Sequence, residues 1–574
     1  MSESEYKELL DKIFVRFPSV QSSGFGASSY KPGLEHMTEF LEVLGNPHRA
    51  YKTVHVAGTN GKGSVCNMMA SALAATGLKT GLYTSPHILD FRERMRVLDE
   101  GKARGCPPKA RNYGQWPLED TPAPSSRHAR PLLFRHARPD RASHQYGQSR
   151  QPLGCHFDRS GEIYSLVPKE YVFNFLKQWG SEFERLNLSF FEITTGMAFK
   201  WFADAGVDIA VIEVGFGGRL DSTNVITPEL SIITSIGLDH CDLLGDTLEA
   251  IAGEKAGIIK PGVPVVIGEY RPETAPVFIA KAAENNAPIY FAEGLGHLSD
   301  PQKKIIFPDG AEKTNFLLRS GPTHSMPKYA SVISNPPFVI SSEVEKSHIT
   351  LDLQGEYQEA NLRTVLTALS VLADGSTSVM PDRSTSVMPD LIGHLTPAVL
   401  SAIAHTAVRA GFGGRWEHLS EQPLVICDIG HNAHALKHNF AQLESMMASG
   451  EYDCLIIVYA VMADKDLDAI LPLMPKQARY IFTTPKGKRA LPAERIRERF
   501  LHFGRNDKDK ASECALKAIG HNFWPERHTL MPLALDDVQE AVKEALQESS
   551  AYKNPIIYIG GSTFAVAEAK PLFR

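Results

Sequence analysis

The chain has 574 residues, a net charge of −6 and 43% hydrophobic residues. A chain of this length is too long to fold around one compact core, so we expect two domains with additional segments. The composition is that of an ordinary globular protein, and the slight negative charge argues against a general nucleic-acid-binding role. No apolar run approaches the roughly 20 residues that span a bilayer. The seven cysteines contain no CxxC pair, which together with the acidic N-terminus favours a cytoplasmic location and argues against a disulfide framework or zinc site.

The first strong pattern along the chain is a β-branched apolar run, Val54–Ala57, followed by a glycine-rich turn and a helix-forming run, Val65–Ala75. Strand, glycine turn and helix together favour phosphate binding by backbone N–H groups and the helix N-terminus. Lys62 within the turn indicates that the turn binds an anion, because a purely structural turn does not need a lysine. Two residues rather than four separate Gly58 from Gly61, so the turn differs from the common nucleotide-binding loop.

The next elements alternate between helical and strand patterns. Strands are expected at Val207–Val214, Ser231–Ile236 and Val263–Ile267. This alternation predicts a mainly parallel sheet that is covered on both faces. Ligands of such sheets bind beyond the carboxyl ends of the strands, where the phosphate loop also lies.

Three polar residues follow these strands. Glu213 ends one strand before a glycine-rich segment, and a carboxylate there suits Mg²⁺, although a capped surface turn is the alternative. His240 follows the next strand, but imidazole is an unusual Mg²⁺ ligand and a lone histidine is more often simply packed. Lys255, taken on its surroundings alone, is a solvated helix lysine.

Three stretches lack helical or strand periodicity, and we interpret them as insertions near residues 101–161, 320–347 and 375–391. The first is rich in Arg and Pro, so a nucleic-acid role is the alternative to a passive insertion. The third contains STSVMPD twice, at Ser376 and Ser384.

The last third of the chain repeats the α/β pattern on a smaller scale. Its strands are expected at Leu424–Cys427, Cys454–Tyr459, Tyr480–Thr483 and Pro555–Ile559. A second, smaller α/β domain follows from this pattern.

Nine motifs, in collinear order, resemble those of the folylpolyglutamate and dihydrofolate synthases, the folate branch of the Mur ligase family. They are AGTNGKGS, TSPH at Thr84, FFEITT at Phe190, EVGFGGRLDSTN at Glu213, TSIGLDH at Thr234, EKAGIIK at Glu254, QGEYQEAN ending at Asn361, GRWE at Gly414 and DIGHN at Asp428. DIGHN differs from the commoner Asp-Gly-Ala-His-Asn but keeps Asp, His and Asn. The set as a whole separates the folate branch from other Mur-type ligases, which lack FFEITT and GGRLDSTN together.

The resemblance implies an α/β fold with an N-terminal phosphate-loop ATPase-like domain over residues 1–413, built on a mainly parallel sheet. A smaller C-terminal Rossmann-like α/β domain would cover residues 418–574. The implied activity is ATP-dependent addition of L-glutamate to the carboxylate of dihydropteroate, of folates or of both, through an acyl phosphate. The alternatives are another Mur-type amino-acid ligase and an inactive ATP-binding homologue. The implied cofactors are ATP and Mg²⁺. The expected partners are small-molecule substrates, without nucleic acid or membrane, and the protein is expected to be a monomer.

The resemblance also assigns roles to individual positions. Residues implied to bind ATP are Thr59, Asn60, Gly61, Lys62, Gly63, Ser64, Asn361, Arg415 and Asp428. Residues implied to hold Mg²⁺ are Ser85, Glu213 and His240. Residues implied to line the pterin-side pocket are Ser189, Phe190, Phe191, Glu192, Leu220, Asp221 and Ser222. Lys62, His240 and Lys255 are the implied catalytic residues, and Lys255 is implied to be carbamylated by CO₂.

Overall fold

The computed structural model describes residues 1–24, 31–100, 163–292, 351–373, 396–506 and 531–573. The three insertions expected at 101–161, 320–347 and 375–391 lie outside these ranges. Within the described ranges, no helix is both long enough and apolar enough to cross a bilayer.

The first sheet has eight strands. They are β1 Lys52–Ala57, β2 Thr80–Tyr83, β3 Met95–Leu98, β4 Tyr164–Leu166, β5 Ile209–Glu213, β6 Leu230–Ile233, β7 Val265–Ile267 and β8 Ile289–Phe291. Their order in the sheet is β4-β3-β2-β5-β1-β6-β7-β8. The six strands β2-β5-β1-β6-β7-β8, in sheet order, pair in parallel. At one edge, β3 pairs antiparallel with both β2 and β4. The central strands are buried on both faces, as their β-branched sequences predict.

Helices cover this sheet on both faces. They are α1 Glu3–Arg16, α2 Val20–Ser23, α3 Glu35–Val43, α4 Lys62–Ala75, α5 Lys169–Arg185, α6 Phe190–Ala205, α7 Cys241–Leu244, α8 Leu248–Ala256, α9 Ala275–Glu284, α10 Gln358–Ala373, α11 Pro397–Ala404 and α12 Thr406–Ala410. Helix α4 is rich in Ala and Met and is buried along nearly its whole length, between the sheet and helices α10 and α11. Such burial fixes the N-terminus of α4 at the end of β1.

The second sheet has six strands and its own apolar cores. They are β9 Glu417–Glu421, β10 Leu424–Asp428, β11 Cys454–Tyr459, β12 Arg479–Thr483, β13 Leu533–Leu535 and β14 Pro555–Gly560. Their order is β13-β12-β11-β14-β10-β9, and only the β9–β10 pairing is antiparallel. The accompanying helices are α13 Ala433–Ala448, α14 Leu467–Ile470, α15 Ala493–Asn506, α16 Val538–Ser549 and α17 Thr563–Ala569. The α/β fold class predicted from the sequence is therefore confirmed.

One strand ends earlier than its sequence suggests. The apolar run predicted a strand over Ser231–Ile236, but β6 ends at Ile233. The following residues bind the phosphate loop instead, because Thr234 Oγ1 donates to the Asn60 carbonyl (2.6 Å) and the Ser235 carbonyl accepts from the Thr59 N–H (2.7 Å). The domain division between residues 413 and 418 stays a prediction.

Candidate active site

The phosphate loop connects β1 to α4 in the strand–turn–helix arrangement that its sequence predicts. Gly58 and Gly61 both adopt positive φ, +147° and +86°, which side chains with a Cβ rarely tolerate. Lys62 opens α4, and its ammonium donates to the carbonyls of Gly58 (3.0 Å) and Thr59 (3.1 Å). The Ser64 hydroxyl is buried without a hydrogen-bond partner among the described residues. A cation, a helix N-terminus and an unpaired hydroxyl thus meet at one loop, which suits a phosphate.

We expect Gly58→Ala to disable this loop. A Cβ at Gly58 would lie 1.8 Å from Thr234 Oγ1, and the alanine would also be strained at this φ. We predict a destabilisation of roughly 1–3 kcal/mol and the loss of nucleotide binding, measured by thermal unfolding and by calorimetric titration with ADP. Gly77→Ala is the matched control, because Gly77 has φ +94° but no atom within 4 Å of its added Cβ. Wild-type ADP affinity in Gly58→Ala would contradict the prediction.

Glu213 and Ser85 meet at the ends of β5 and β2. Glu213 is only 3% exposed, and its Oε2 accepts from the backbone N–H of Ser85 (3.0 Å). Burial raises the pKa of Glu213, while the positive charges of Lys62, Arg415 and Arg94 oppose that rise. Glu213 is therefore a buried carboxylate that can act as a ligand for a divalent cation.

His240 follows β6 and belongs to a charged cluster that joins the two sheets. Lys465, which follows β11, donates to Asp239 Oδ1 (2.8 Å) and lies 3.4 Å from His240 Nε2. Burial lowers the pKa of His240 to about 4, so its imidazole is neutral at pH 7. Burial acts against ionisation of Asp239, but His240, His431 and Lys465 outweigh it and hold the pKa of that carboxyl well below its ordinary value.

Lys255 is buried, contrary to its interpretation from composition as a solvated residue. It lies near the end of α8 and is 4% exposed. Gly218 packs closely on this end of α8, where an added Cβ would lie 3.0 Å from the Cα of Lys255. Burial, assisted by the charge of Lys62, lowers the pKa of Lys255 to about 7. Its amine is therefore substantially neutral near physiological pH.

The predicted pterin-side residues divide into two groups. Phe190 and Phe191 open α6, and Leu220 and Ser222 lie in the loop after β5. Ser189 instead caps α6: its hydroxyl accepts from the Glu192 N–H, and the Glu192 carboxylate accepts from the Ser189 N–H.

Asp221 has a similar structural part in its own loop. Its carboxylate accepts from the N–H groups of Phe216 (2.8 Å) and Thr223 (3.0 Å). The side chain therefore holds the glycine-rich loop after β5 in shape.

The predicted nucleotide contacts converge from both sheets. Asn361 lies near the start of α10 beside Gly61, and its amide donates to Gln358 (2.8 Å). Asp428 ends β10, and its Oδ2 accepts from the Tyr357 hydroxyl (2.7 Å) and the Trp416 N–H (2.9 Å).

One cavity of about 510 Å³ brings the predicted residues together. It is lined by every site residue named from the sequence except Glu192, whose carboxylate is turned back onto its own helix. The cavity is also lined by ionisable side chains that the site prediction omitted: Lys31, Arg94, Asp239, Glu269, Arg363, His431, His434, His438, Lys465 and Arg489. Asp239 and His431 stand inside quoted motifs, so a signal existed for them. Lys465 lies more than 200 residues from its partner Asp239, and nothing local marks it.

The donor set suits a hard divalent cation. Among the described residues, no cluster of three or more His, Cys, Asp and Glu side chains has the arrangement of a metal site. The implied set of Ser85, Glu213 and His240 nevertheless offers a hydroxyl, a buried carboxylate and a neutral imidazole around the same cavity. These are compatible with Mg²⁺ completed by phosphate oxygens and water.

Comparisons with known proteins agree with this arrangement. Residues 414–563 match the family model described as Mur ligase, glutamate ligase domain. The phosphate loop, the two α/β sheets and this match define a Mur-type ligase.

The relatives place the chain more narrowly. It is 30% identical over 545 residues to the dihydrofolate synthase/folylpolyglutamate synthase of Bacillus subtilis, covering 94% of both chains. The chain belongs to the folylpolyglutamate and dihydrofolate synthase family of ATP-dependent ligases.

Solved structures show the same fold. Mycobacterium tuberculosis folylpolyglutamate synthase complexed with ADP superposes with a TM-score of 0.63 at 21% identity, covering 99% of this chain and 98% of that chain. A bifunctional folylpolyglutamate synthase/dihydrofolate synthase with Mn, AMPPNP and L-glutamate bound gives 0.57 at 22% identity, covering 95% and 94%.

Proposed function

We propose that this protein joins L-glutamate to the carboxylate of dihydropteroate, of reduced folates or of both, using ATP. The observation that carries the proposal is the single cavity in which the phosphate loop, the Glu213–Ser85 pair, buried Lys255 and the aromatic start of α6 meet. A relative of the same fold carries a nucleotide analogue, a divalent metal and L-glutamate. The same ligand classes would occupy this cavity.

The first step activates a poor electrophile. A carboxylate oxygen of the acceptor attacks the γ-phosphorus of ATP, the bond to the β–γ bridging oxygen breaks, and ADP leaves. Lys62, which reaches the loop carbonyls in this structure, would turn to the phosphates, and the N–H groups at the start of α4 would hold them. Positioning and charge neutralisation supply most of the catalysis of such a transfer.

The second step forms the amide. The amino group of L-glutamate attacks the acyl carbon, the tetrahedral intermediate expels phosphate, and the nitrogen loses a proton. Water must be kept from the acyl phosphate, and the residues of the second sheet form the cavity wall that excludes it. Arg415 and Lys465 add cations to this cavity, where Arg415 would contact the nucleotide.

Ser85, Glu213 and His240 would hold Mg²⁺, which neutralises charge on the transferring phosphoryl group when bound. Lys255 would be carbamylated. That reaction needs a neutral amine, and burial provides one. The resulting anion would face Lys62, whose charge now helps to lower the pKa of Lys255.

We propose further that the protein acts on these small molecules as a cytoplasmic monomer, without nucleic acid or membrane partners. The net charge of −6 and the absence of a CxxC pair support this assignment. The mass of the particle in solution, measured by light scattering, tests the monomer.

Phosphate release from ATP tests the function directly. With Mg²⁺ and L-glutamate present, we expect release to require an acceptor, because the acyl phosphate forms only on its carboxylate. Parallel assays with dihydropteroate, tetrahydrofolate and no acceptor decide which glutamate is added. Release with both acceptors marks a bifunctional synthase, whereas ADP binding without release in either assay contradicts the proposal.

A further inference from the structure

Four side chains form a continuous chain from the phosphate loop to the loop after β7. Asn60 Nδ2 lies 2.8 Å from His434 Nδ1, and Arg271 Nη2 lies 3.1 Å from His434 Nε2. Arg271 Nη2 also pairs with Glu269 Oε1 at 2.7 Å. Asn60, Glu269 and His434 all line the cavity.

The hydrogen bonds of Asn432 determine which ring nitrogen of His434 carries the proton. Asn432 Oδ1 accepts from the Ala435 N–H and its Nδ2 donates to Asp239, so its amide orientation is set. Asn60 pairs with Asn432 through Oδ1 (3.2 Å), which directs the Asn60 Nδ2 to His434. His434 Nδ1 must therefore accept.

A donor is consequently left over beside Arg271. Burial lowers the pKa of His434 to about 4, so the neutral ring carries its proton on Nε2. That N–H faces an N–H of Arg271, and two donors cannot satisfy each other. Beside them, Glu269 Oε2 is buried without a hydrogen-bond partner among the described residues. The loop after β7 therefore presents a surplus donor next to a surplus acceptor.

This pair of groups lies where a nucleoside would extend. Glu213 and Ser85 end the strands on one side of β1, whereas β6 and β7 lie on the other side. An ATP whose γ-phosphate faces Glu213 across the phosphate loop must carry its nucleoside toward β7. Gly268, which follows β7, lines the cavity, as do the small residues Ala360 and Ala435.

We propose that Glu269, together with Arg271 and His434, recognises the amino edge of adenine and makes this enzyme selective for ATP among purine nucleotides. The inference rests on the proposed function and names the residues that would recognise the base of its nucleotide. Adenine offers an exocyclic amino group as donor beside a ring nitrogen as acceptor, which complements the carboxylate and the N–H. Hypoxanthine and guanine place a carbonyl oxygen where that amino group stands, against the Glu269 carboxylate.

The test compares kcat/KM for ATP, ITP and 2′-deoxy-ATP in the wild type and in Glu269→Gln. We expect the wild type to prefer ATP over ITP by about 100-fold or more, and Glu269→Gln to reduce that preference at least about tenfold, because an amide can also donate to a carbonyl oxygen. The preference for ATP over 2′-deoxy-ATP should not change. Glu273→Gln, at an exposed position in the same loop, is the matched control. Ratios within one variant cancel any general loss of activity.

An unchanged ATP/ITP ratio in Glu269→Gln overturns the inference, and so does a change confined to 2′-deoxy-ATP, which would assign these groups to the ribose. If Glu269→Gln does not fold, wild-type enzyme with the triphosphate of purine riboside, which lacks the amino group, gives the answer: we expect about a tenfold loss, and equal use overturns the proposal. Calorimetric titration with ADP and IDP provides the same comparison without catalysis. Selective ADP binding without turnover would count against the proposed function alone.

Discussion

Lys62→Met is expected to lower turnover by about 100-fold or more, by analogy with the loss of one preorganised donor at a developing charge. The lysine stands at the start of α4, and its ammonium donates to the carbonyls of Gly58 and Thr59 in the phosphate loop. Methionine retains the length and helix propensity of the side chain but not its charge. Steady-state phosphate release with saturating acceptor and glutamate measures the effect.

Lys281→Met is the matched control, because Lys281 lies on α9 outside the cavity lining, with a partly exposed side chain that pairs with Glu284 of the same helix. It should keep wild-type turnover. Thermal unfolding of both variants separates a catalytic loss from a folding defect. Near-normal turnover of Lys62→Met would remove the basis for assigning the loop to phosphoryl transfer.

Lys255→Arg is expected to reduce turnover by a comparable factor of about 100, since arginine stays charged and cannot form a carbamate. In the wild type, the neutral fraction of Lys255 rises as pH increases through its pKa of about 7. Carbamate formation should therefore be poor at pH 6, where roughly a tenth of the amine is neutral, and favourable at pH 8.

The measurement is a ¹³C NMR spectrum of the protein in ¹³C-bicarbonate, recorded at both pH values and again for Lys255→Arg. A carbamate signal should appear at pH 8 and be absent from the variant. Removal of CO₂ should lower wild-type turnover, and bicarbonate should restore it. A wild-type enzyme that is fully active without CO₂ and shows no such signal would exclude the modification.

Much of this site was accessible from the sequence because parallel strands end at one edge. Glu213 and His240 follow strands whose apolar runs are easily recognised, so their place around one cavity follows from topology. Strand ends were less accurate where a loop competed for the backbone, as after Ile233. The phosphate loop then takes the hydrogen bonds that would have continued β6.

Other features depend on contacts that no local pattern records. Lys255 looks solvated because its exposure is decided by the glycine-rich loop that packs on α8 from another part of the chain. Lys465 joins Asp239 only after the two sheets come together. Glu192 is a different case, because Ser189 and Glu192 have the spacing of a capping box. That local signal indicates that the Glu192 carboxylate caps α6 and does not line the cavity.

The edge of the first sheet has a consequence for how this chain tolerates added sequence. β3 and β4 are hydrogen-bonded in an antiparallel pair, with Leu98 opposite Tyr164, and Asp99 donates to the Ile163 carbonyl (3.1 Å). The two ends of the intervening connection are thus already side by side, and the sheet requires only that the connection return to where it began. The entropy of closing such a loop grows only with the logarithm of its length, about 0.6 kcal/mol for each doubling. A connection between two paired antiparallel strands at the rim of an α/β sheet is therefore a position at which evolution can lengthen the chain greatly at small thermodynamic cost to the folded enzyme.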